Sequence, residues 1–385
     1  MPPSSRIAAW KRLRQRNRHR VVSAKRVARP ARPTRDLVVI LDGTNSSLTP
    51  GRETNAGLTY RLLAEGGPRA DRAVYYEAGI QWEGWQRTPD IMYGRGINRQ
   101  IERAYGFLAA SYRPGDRIYL FGFSRGAFAV RSLAGILDRV GLVSAPCATN
   151  RKVAEAYRHY RCSWNSPAAL AFRNLYCRQE VKVQMVGVWD TVKALGLRAP
   201  LIWRLTQRQH EFHNHHLSSV VAHGYHALAL DETRFAFRPE MWDAPPGWEG
   251  KVEQRWFAGT HGDVGGQING FHAARPLSNI PLVWMLEKAE QCGLSLPERW
   301  KDRYATDPLA PSVGLYQGWA KLFFRRARRI VGKYPSEQVH PLALLRDRLR
   351  ARIPSRLEVA ANAVEEAVAN EVTGPVDPGF NPTQT

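Results

Sequence analysis

Asp116-Arg-Ile-Tyr-Leu-Phe-Gly-Phe-Ser-Arg-Gly126, continued by Ala127-Phe-Ala-Val-Arg-Ser-Leu-Ala-Gly-Ile-Leu137, passes from an apolar run into a helix-forming one through Gly122-Phe123-Ser124-Arg125-Gly126. A bare G-x-S-x-G is a common turn, but a strand-like run before it and a helix-like run after it give it a specific meaning. A sharp strand-to-helix turn strains the serine backbone and leaves no room for side chains at its flanks, and glycines at 122 and 126 supply that room. The stretch reads as a nucleophile elbow with Ser124 at its tip.

Outward from this elbow the chain alternates strands and helices. Leu37-Val-Val-Ile-Leu41 is short, apolar and β-branched, fit for a strand buried on both faces, and it ends in Asp42-Gly-Thr-Asn45. Val74 to Glu77 predicts a second strand, Ile97 to Tyr112 a helix, and Pro114-Gly-Asp116 the turn into the elbow strand. Val181 to Trp189 predicts a further strand ending in Asp190-Thr191, after an arginine-rich helical insertion at 151–178. Gln254 to Gly259 predicts another, ending in Thr260-His261, and Pro281 to Cys292 a helix whose Trp284 and Met285 belong to the core. This order predicts an α/β fold, a mostly parallel sheet flanked by helices and carrying helical insertions. Ligands of such sheets bind outside the carboxyl ends of the strands, so Asp42, Ser124, Asp190 and His261 are expected at one rim.

A serine hydroxyl needs a base within hydrogen-bond reach and a carboxylate to orient that base. Ser124, Asp190 and His261 occur in the chain order Ser, Asp, His. His340, in Glu337-Gln-Val-His-Pro341, is a rival base because it too follows Asp190. Asp263 and Asp231-Glu232 are rival orienters, the first readable as a cap for the loop after His261 and the second as an ion-paired turn with Arg234. The tetrahedral oxyanion calls for donors from the Arg125 N–H and from the Gly43-Thr44 loop. Asp42 beside them would have to turn away, paired with Arg125, unless it caps a helix or binds a metal.

His210, His213, His215, His216, His223 and His226 crowd one region without an acid or cysteine at a metal-site spacing, which predicts a helix face or loop of partly exposed imidazoles. The four cysteines, Cys147, Cys162, Cys177 and Cys292, form no C-x-x-C pair, so free thiols in a reducing compartment are expected. Neither a metal nor a cofactor is called for by the leading reading. The alternatives to a serine ester hydrolase are a nucleic-acid- or partner-binding protein that uses a basic arm on a hydrolase fold, and a metal-dependent phosphoester hydrolase built on Asp42, Asp190, His261 and Asp263.

The 385 residues suffice for one large α/β domain with insertions or for two domains of ordinary size. A net charge of +22 is concentrated in two stretches, +12 within 1–35 and +9 within 317–356. These predict a flexible basic extension at 1–35, a catalytic domain at 36–345, and a basic helix with a frayed tail at 346–385. Such appendages suit an anionic surface. A membrane approached by Trp10, Trp319, Phe323 and Phe324 is preferred over nucleic acid, which would be bound without sequence preference. No run approaches the ~20 apolar residues of a bilayer span, and the basic N-terminus lacks the apolar core of a secretory signal. A protein cytoplasmic in the producing cell is expected, with signal-less export or peripheral membrane attachment as alternatives.

Six ordered motifs, Leu41-Asp-Gly-Thr-Asn45, Gly122-Phe-Ser-Arg-Gly-Ala-Phe128, Gly187-Val-Trp-Asp-Thr-Val192, Asp231-Glu-Thr-Arg234, His261-Gly-Asp-Val-Gly-Gly266 and Glu337-Gln-Val-His-Pro341, carry a resemblance over roughly 36–345. They resemble the catalytic domain of the type VI secretion phospholipase effectors, part of a broad and mostly uncharacterised α/β-hydrolase-like group. The resemblance implies an α/β-hydrolase fold, a Ser124-Asp190-His261 triad, and hydrolysis of phospholipid esters. Gln267 departs from the pattern, standing where a third glycine often extends the Val-Gly-Gly run.

Overall fold

The computed structural model describes residues 33–79, 95–192, 217–244, 247–315 and 325–345. The basic extension as far as residue 32, the segment 346–385, Trp10, Trp319, Phe323, Phe324 and four histidines, His210, His213, His215 and His216, lie outside them.

The described residues begin with β1 (Asp36–Leu41), α1 (Asn55–Ala64), β2 (Arg72–Glu77), α2 (Arg95–Ser111), β3 (Arg117–Phe123) and α3 (Arg125–Arg139). The helical insertion follows, with β4 (Leu142–Val143), α4 (Asn150–Cys162), α5 (Pro167–Tyr176) and β5 (Cys177–Arg178), the two short strands forming an antiparallel ribbon. Then come β6 (Val183–Trp189), β7 (His223–Ala229), β8 (Lys251–Phe257), α6 (His261–Gly265), α7 (Arg275–Gln291), β9 (Glu337–Val339) and α8 (Pro341–Leu344). Among the described residues seven strands form one sheet in the order β2-β1-β3-β6-β7-β8-β9, with each of these pairings parallel. This is the α/β-hydrolase-like architecture expected from the motifs.

Strand β1 is buried along its whole length because helices cover both faces. Leu37, Val39 and Leu41 pack in the core with α2 and α3, while Val38 and Ile40 join the opposite core with α1 and α7. Period-two alternation in a continuously apolar strand therefore feeds two cores at once, each fully buried aliphatic side chain contributing about 1.5–3 kcal/mol. Trp284 and Met285 of α7 are buried in the second core.

The turn at Ser124 requires its flanking glycines. A Cβ on Gly122 would stand 2.7 Å from the Ala127 backbone, and one on Gly126 would run into the Leu41 carbonyl. Helix α3 can thus press directly onto the end of β1.

Two strands differ from the sequence expectation. His223-Gly-Tyr-His-Ala-Leu-Ala229 forms β7, between β6 and β8, so His226 is a fully buried core residue rather than a partly exposed imidazole. Its Nε2 accepts the Thr191 N–H at 3.1 Å, and its ring meets Trp242 edge-on. Glu337–Val339 forms the short edge strand β9, and His340 follows it as the N-cap of α8, accepting from the Leu342 N–H and stacking on Phe257. The basic stretch 317–356 is therefore not wholly an appendage, since part of it completes the sheet.

Burial pushes the His226 ring down to about 3, with Arg131 acting in the same direction, and burial beside Arg255 brings His340 to about 3. Unfolded imidazoles titrate near 6.5, so as pH falls below about 6.5 the unfolded chain takes up protons that the folded chain refuses. Stability is lost on acidification through this window, each ring adding a slope of about 1.4 kcal/mol per pH unit. Asp42, raised by burial to about 6, has the opposite sign and offsets part of the loss between roughly pH 4 and 6. Urea denaturation should show midpoints falling from pH 6 to pH 4, with a shallower fall in His340→Asn, which keeps a capping acceptor. An identical pH slope in that variant would mean that His340 is charged in the folded chain.

Candidate active site

Ser124 heads α3 with φ +56° and ψ −118°, a left-handed backbone that a non-glycine residue adopts only when its surroundings hold it there. Its N–H donates to the Trp189 carbonyl at 3.0 Å, fixing the elbow to the end of β6. One residue beyond that carbonyl, Asp190 is also left-handed, with φ +41°. Its N–H donates to the Ala227 carbonyl and its Oδ1 accepts from the Ala229 N–H. The neighbouring Thr191 N–H is held by His226, which makes His226 a positioning residue for the β6 end.

His261 is the first residue of α6. The sequence predicts a glycine-lined loop here, and the structure instead has a short helix opened by a capping box, in which Thr260 and Asp263 satisfy each other's backbone and side-chain donors. Asp263 also accepts from Ser312 Oγ and from the Val313 N–H, so it is a clamp for the helix start and for the 312–313 loop. A Cβ on Gly265 would run into the Phe123 ring, so this glycine is what lets α6 close onto the elbow strand.

These elements bring three side chains into line. His261 Nε2 lies 2.9 Å from Ser124 Oγ, and His261 Nδ1 lies 2.6 Å from Asp190 Oδ2. The ring is gripped by Phe123 and Phe237, each with a centroid 4.8 Å away, and the His261 N–H is turned toward Glu232 Oε2. All three are nearly closed to water, at 7%, 4% and 0% exposure for Ser124, His261 and Asp190. With a carboxylate accepting from Nδ1–H, Nε2 is left as an acceptor aimed at the serine hydroxyl. A hydroxyl, an imidazole and a carboxylate in this order can activate an oxygen nucleophile. His340 is not brought to Ser124, and its capping of α8 sets it apart from this cluster.

Asp190 has a second partner that the sequence reading missed. Arg329 forms a two-pronged ion pair with it, Nη1 at 2.5 Å from Oδ1 and Nη2 at 2.9 Å from Oδ2, and donates further to the Ala229 and Phe237 carbonyls. Burial alone would raise the Asp190 carboxyl, but Arg329 and the His261 hydrogen bond outweigh it and hold the group far below the usual carboxylate range. Glu232 is likewise paired with Arg234 through two hydrogen bonds, as expected of that turn, and it stands against the backbone of His261.

The loop after β1 faces the elbow. Asp42 accepts from Thr54 Oγ1, from the Tyr76 hydroxyl at 2.8 Å, and from the Gly43 N–H at 2.6 Å. Two expectations are corrected by this. Asp42 turns to these donors instead of pairing with Arg125, whose guanidinium is pulled down to about 10 by burial. The Gly43 N–H is engaged by Asp42, so it is the Thr44 N–H that has no acceptor among the described residues. Gln267, the departure noted in the sequence, donates to the Thr44 carbonyl at 3.0 Å and steadies that loop. The Arg125 N–H, in the first turn of α3, has no intrahelical acceptor and is available beside Ser124.

Asp42, Asp190 and Asp263 are thus engaged by three separate sets of donors. Among the described residues, no three His, Cys, Asp or Glu side chains gather as a cation site.

Comparison with known proteins places the chain among relatives. The family model described as "T6SS, Phospholipase effector Tle1-like, catalytic domain" matches residues 35–288. The uncharacterized protein YEL023C of Saccharomyces cerevisiae is 32% identical in a 228-residue alignment that covers 53% of this chain and 32% of that protein. The chain therefore spans about a third of the length of this curated relative. Among solved structures, an uncharacterized protein from Pseudomonas aeruginosa aligns with a TM-score of 0.41 and 15% identity, over 75% of this chain and 51% of the other. The Tle1 effector bound to the VgrG spike of the Type 6 secretion system aligns with a TM-score of 0.34 and 18% identity, over 62% and 52% respectively.

Proposed function

Because the chain belongs to the family of Tle1-like catalytic domains of type VI secretion phospholipase effectors, we propose that it hydrolyses carboxylic esters of lipids through a serine acyl-enzyme. The observation that carries this reading is the hydrogen-bonded row from Ser124 through His261 to Asp190, with the serine held on a strained elbow.

In the proposed reaction Ser124 Oγ attacks the ester carbonyl carbon while His261 Nε2 takes the hydroxyl proton. Asp190 keeps the Nδ1 proton in place and stabilises the imidazolium. The carbonyl oxygen, now negative, lies against the N–H groups of Arg125 and Thr44, each such donor being worth about 3–4 kcal/mol of barrier. Collapse breaks the ester C–O bond, and the departing alkoxide takes the proton back from Nε2 and leaves as the alcohol. Water then attacks the acyl-serine, gives its proton to Nε2, and releases the carboxylic acid as Ser124 regains its proton.

A fluorophosphonate probe tests the nucleophile. Wild-type protein should label stoichiometrically, Ser124→Ala should not label, and His261→Ala should label slower by a factor of about 10³ or more. Undiminished labelling of Ser124→Ala would remove Ser124 from this role.

A further inference from the structure

Arg329, the ion-pair partner of Asp190, also lines a cavity of about 310 Å³. Its lining includes Arg234, Phe235 and Arg238 on one segment and residues 327–330 on another, and these segments are joined through the main chain by Phe235 N–H to the Arg325 carbonyl at 3.0 Å and Ala327 N–H to the Thr233 carbonyl at 2.7 Å. Cation–π contact of Arg325 with the Phe235 ring adds a side-chain tie between them. Its floor is Trp256, whose indole N–H donates to the buried Glu337. The two segments that frame the cavity are therefore tied to each other through the main chain.

The lining is strongly basic. Arg234, Arg238, Arg328, Arg329 and Lys333 contribute to it, against Glu240 as the acid. Arg234 and Arg329 are neutralised by Glu232 and Asp190, respectively. Arg238, Arg328 and Lys333 are exposed and have no ion pair among the described residues. Arg329, with its side chain only 4% exposed, keeps an Nε that has no acceptor among the described residues. Tyr334 adds a phenol.

An excess of exposed cations over the acid of the lining, beside a buried, partly unsatisfied guanidinium, favours a compact anion carrying several acceptor oxygens. We propose that this cavity is a subsite for a phosphoryl group, supplied either by a phospholipid headgroup or as free phosphate. The lipid source rests on the hydrolase reading given above, whereas anion binding by the cavity does not. Through Arg329, the site would stand one guanidinium away from the carboxylate that orients His261.

The test compares the full-length wild-type chain with an Arg238→Glu/Arg328→Glu/Lys333→Glu variant, whose changes are all at exposed positions and whose folding is checked by its thermal midpoint. Inorganic phosphate is titrated calorimetrically, and turnover is measured on a monomeric short-chain phosphatidylglycerol and on a neutral short-chain triglyceride. Phosphate affinity should fall about tenfold or more in the variant, since hydrogen bonds to charged groups are the strong ones. For a headgroup, KM for the phospholipid should rise by a similar factor while triglyceride turnover is unchanged. Weakened phosphate binding with both turnovers unchanged would assign the cavity to free phosphate. Equal phosphate affinity in the two proteins would overturn the proposal, because the remaining basic residues of the chain are common to both. If neither ester is turned over by wild type, the hydrolase reading fails, and the phosphate titration still decides the cavity.

Discussion

An Asp190→Asn variant should turn over esters about 10⁴-fold more slowly than wild type. An amide in this position can present its NH₂ to Nδ1, which selects the tautomer with the proton on Nε2, and that nitrogen then cannot accept from Ser124. The carboxylate oxygen is only 2.6 Å from Nδ1 and wholly buried, so no water can take over its role. The same change leaves Arg329 without its counter-charge, and breaking a buried ion pair by removing one partner costs about 3–5 kcal/mol. Turnover and thermal midpoint should therefore fall together. In Asp190→Asn/Arg329→Met the buried charge is gone as well, so the midpoint should recover in part while turnover does not. A loss of tenfold or less in Asp190→Asn would remove Asp190 from the proposed mechanism.

The second large effect is expected at Glu337, far from the serine in sequence. Its buried carboxylate accepts from the Trp256 indole N–H and from the backbone N–H groups of Gly332, Lys333 and Tyr334, all at 2.8–2.9 Å. It thereby fastens the turn at 332–334 to the edge of the sheet. Glu337→Ala deprives four donors of their acceptor, and at about 1–3 kcal/mol for each donor left buried the total loss should be about 3–5 kcal/mol after partial hydration. Glu337→Gln retains one acceptor oxygen and should lose less. Equilibrium urea unfolding measures both, and a Glu337→Ala loss below about 1 kcal/mol would show that water replaces the carboxylate freely.

The central strands and the elbow are legible in sequence because their information is local. The Leu37–Leu41 run and the Gly-Phe-Ser-Arg-Gly turn each carry their own burial pattern and backbone constraint. Strand β7 is less legible, since His223 and His226 interrupt its apolar pattern and only the tertiary partners of His226 make it a core residue. Strand β9 is three residues long and sits in a basic stretch, which masks it. Arg329 is invisible to local reading because its partner lies 139 positions earlier, and its neighbours Arg325 and Arg328 are exposed. The Gly43 N–H is a different kind of miss. A glycine after a strand reads as a donor site, but the Asp42 carboxylate beside it captures that amide first. At His261 the glycine-rich sequence suggests a loop, yet the Thr260-Asp263 capping box is the signal that starts a helix.

The Asp190–Arg329 pair also sets an order of events during synthesis. Ser124, Asp190 and His261 all leave the ribosome before Arg329, and at about 5–20 residues per second the arginine follows Asp190 by roughly 7–28 seconds. Until then the carboxylate lacks the counterion that makes its burial favourable, and the edge strand β9 has not yet been translated. A nascent chain would thus carry Ser124, Asp190 and His261 in an unfinished setting, which is expected to be completed only once Arg329 and β9 have emerged.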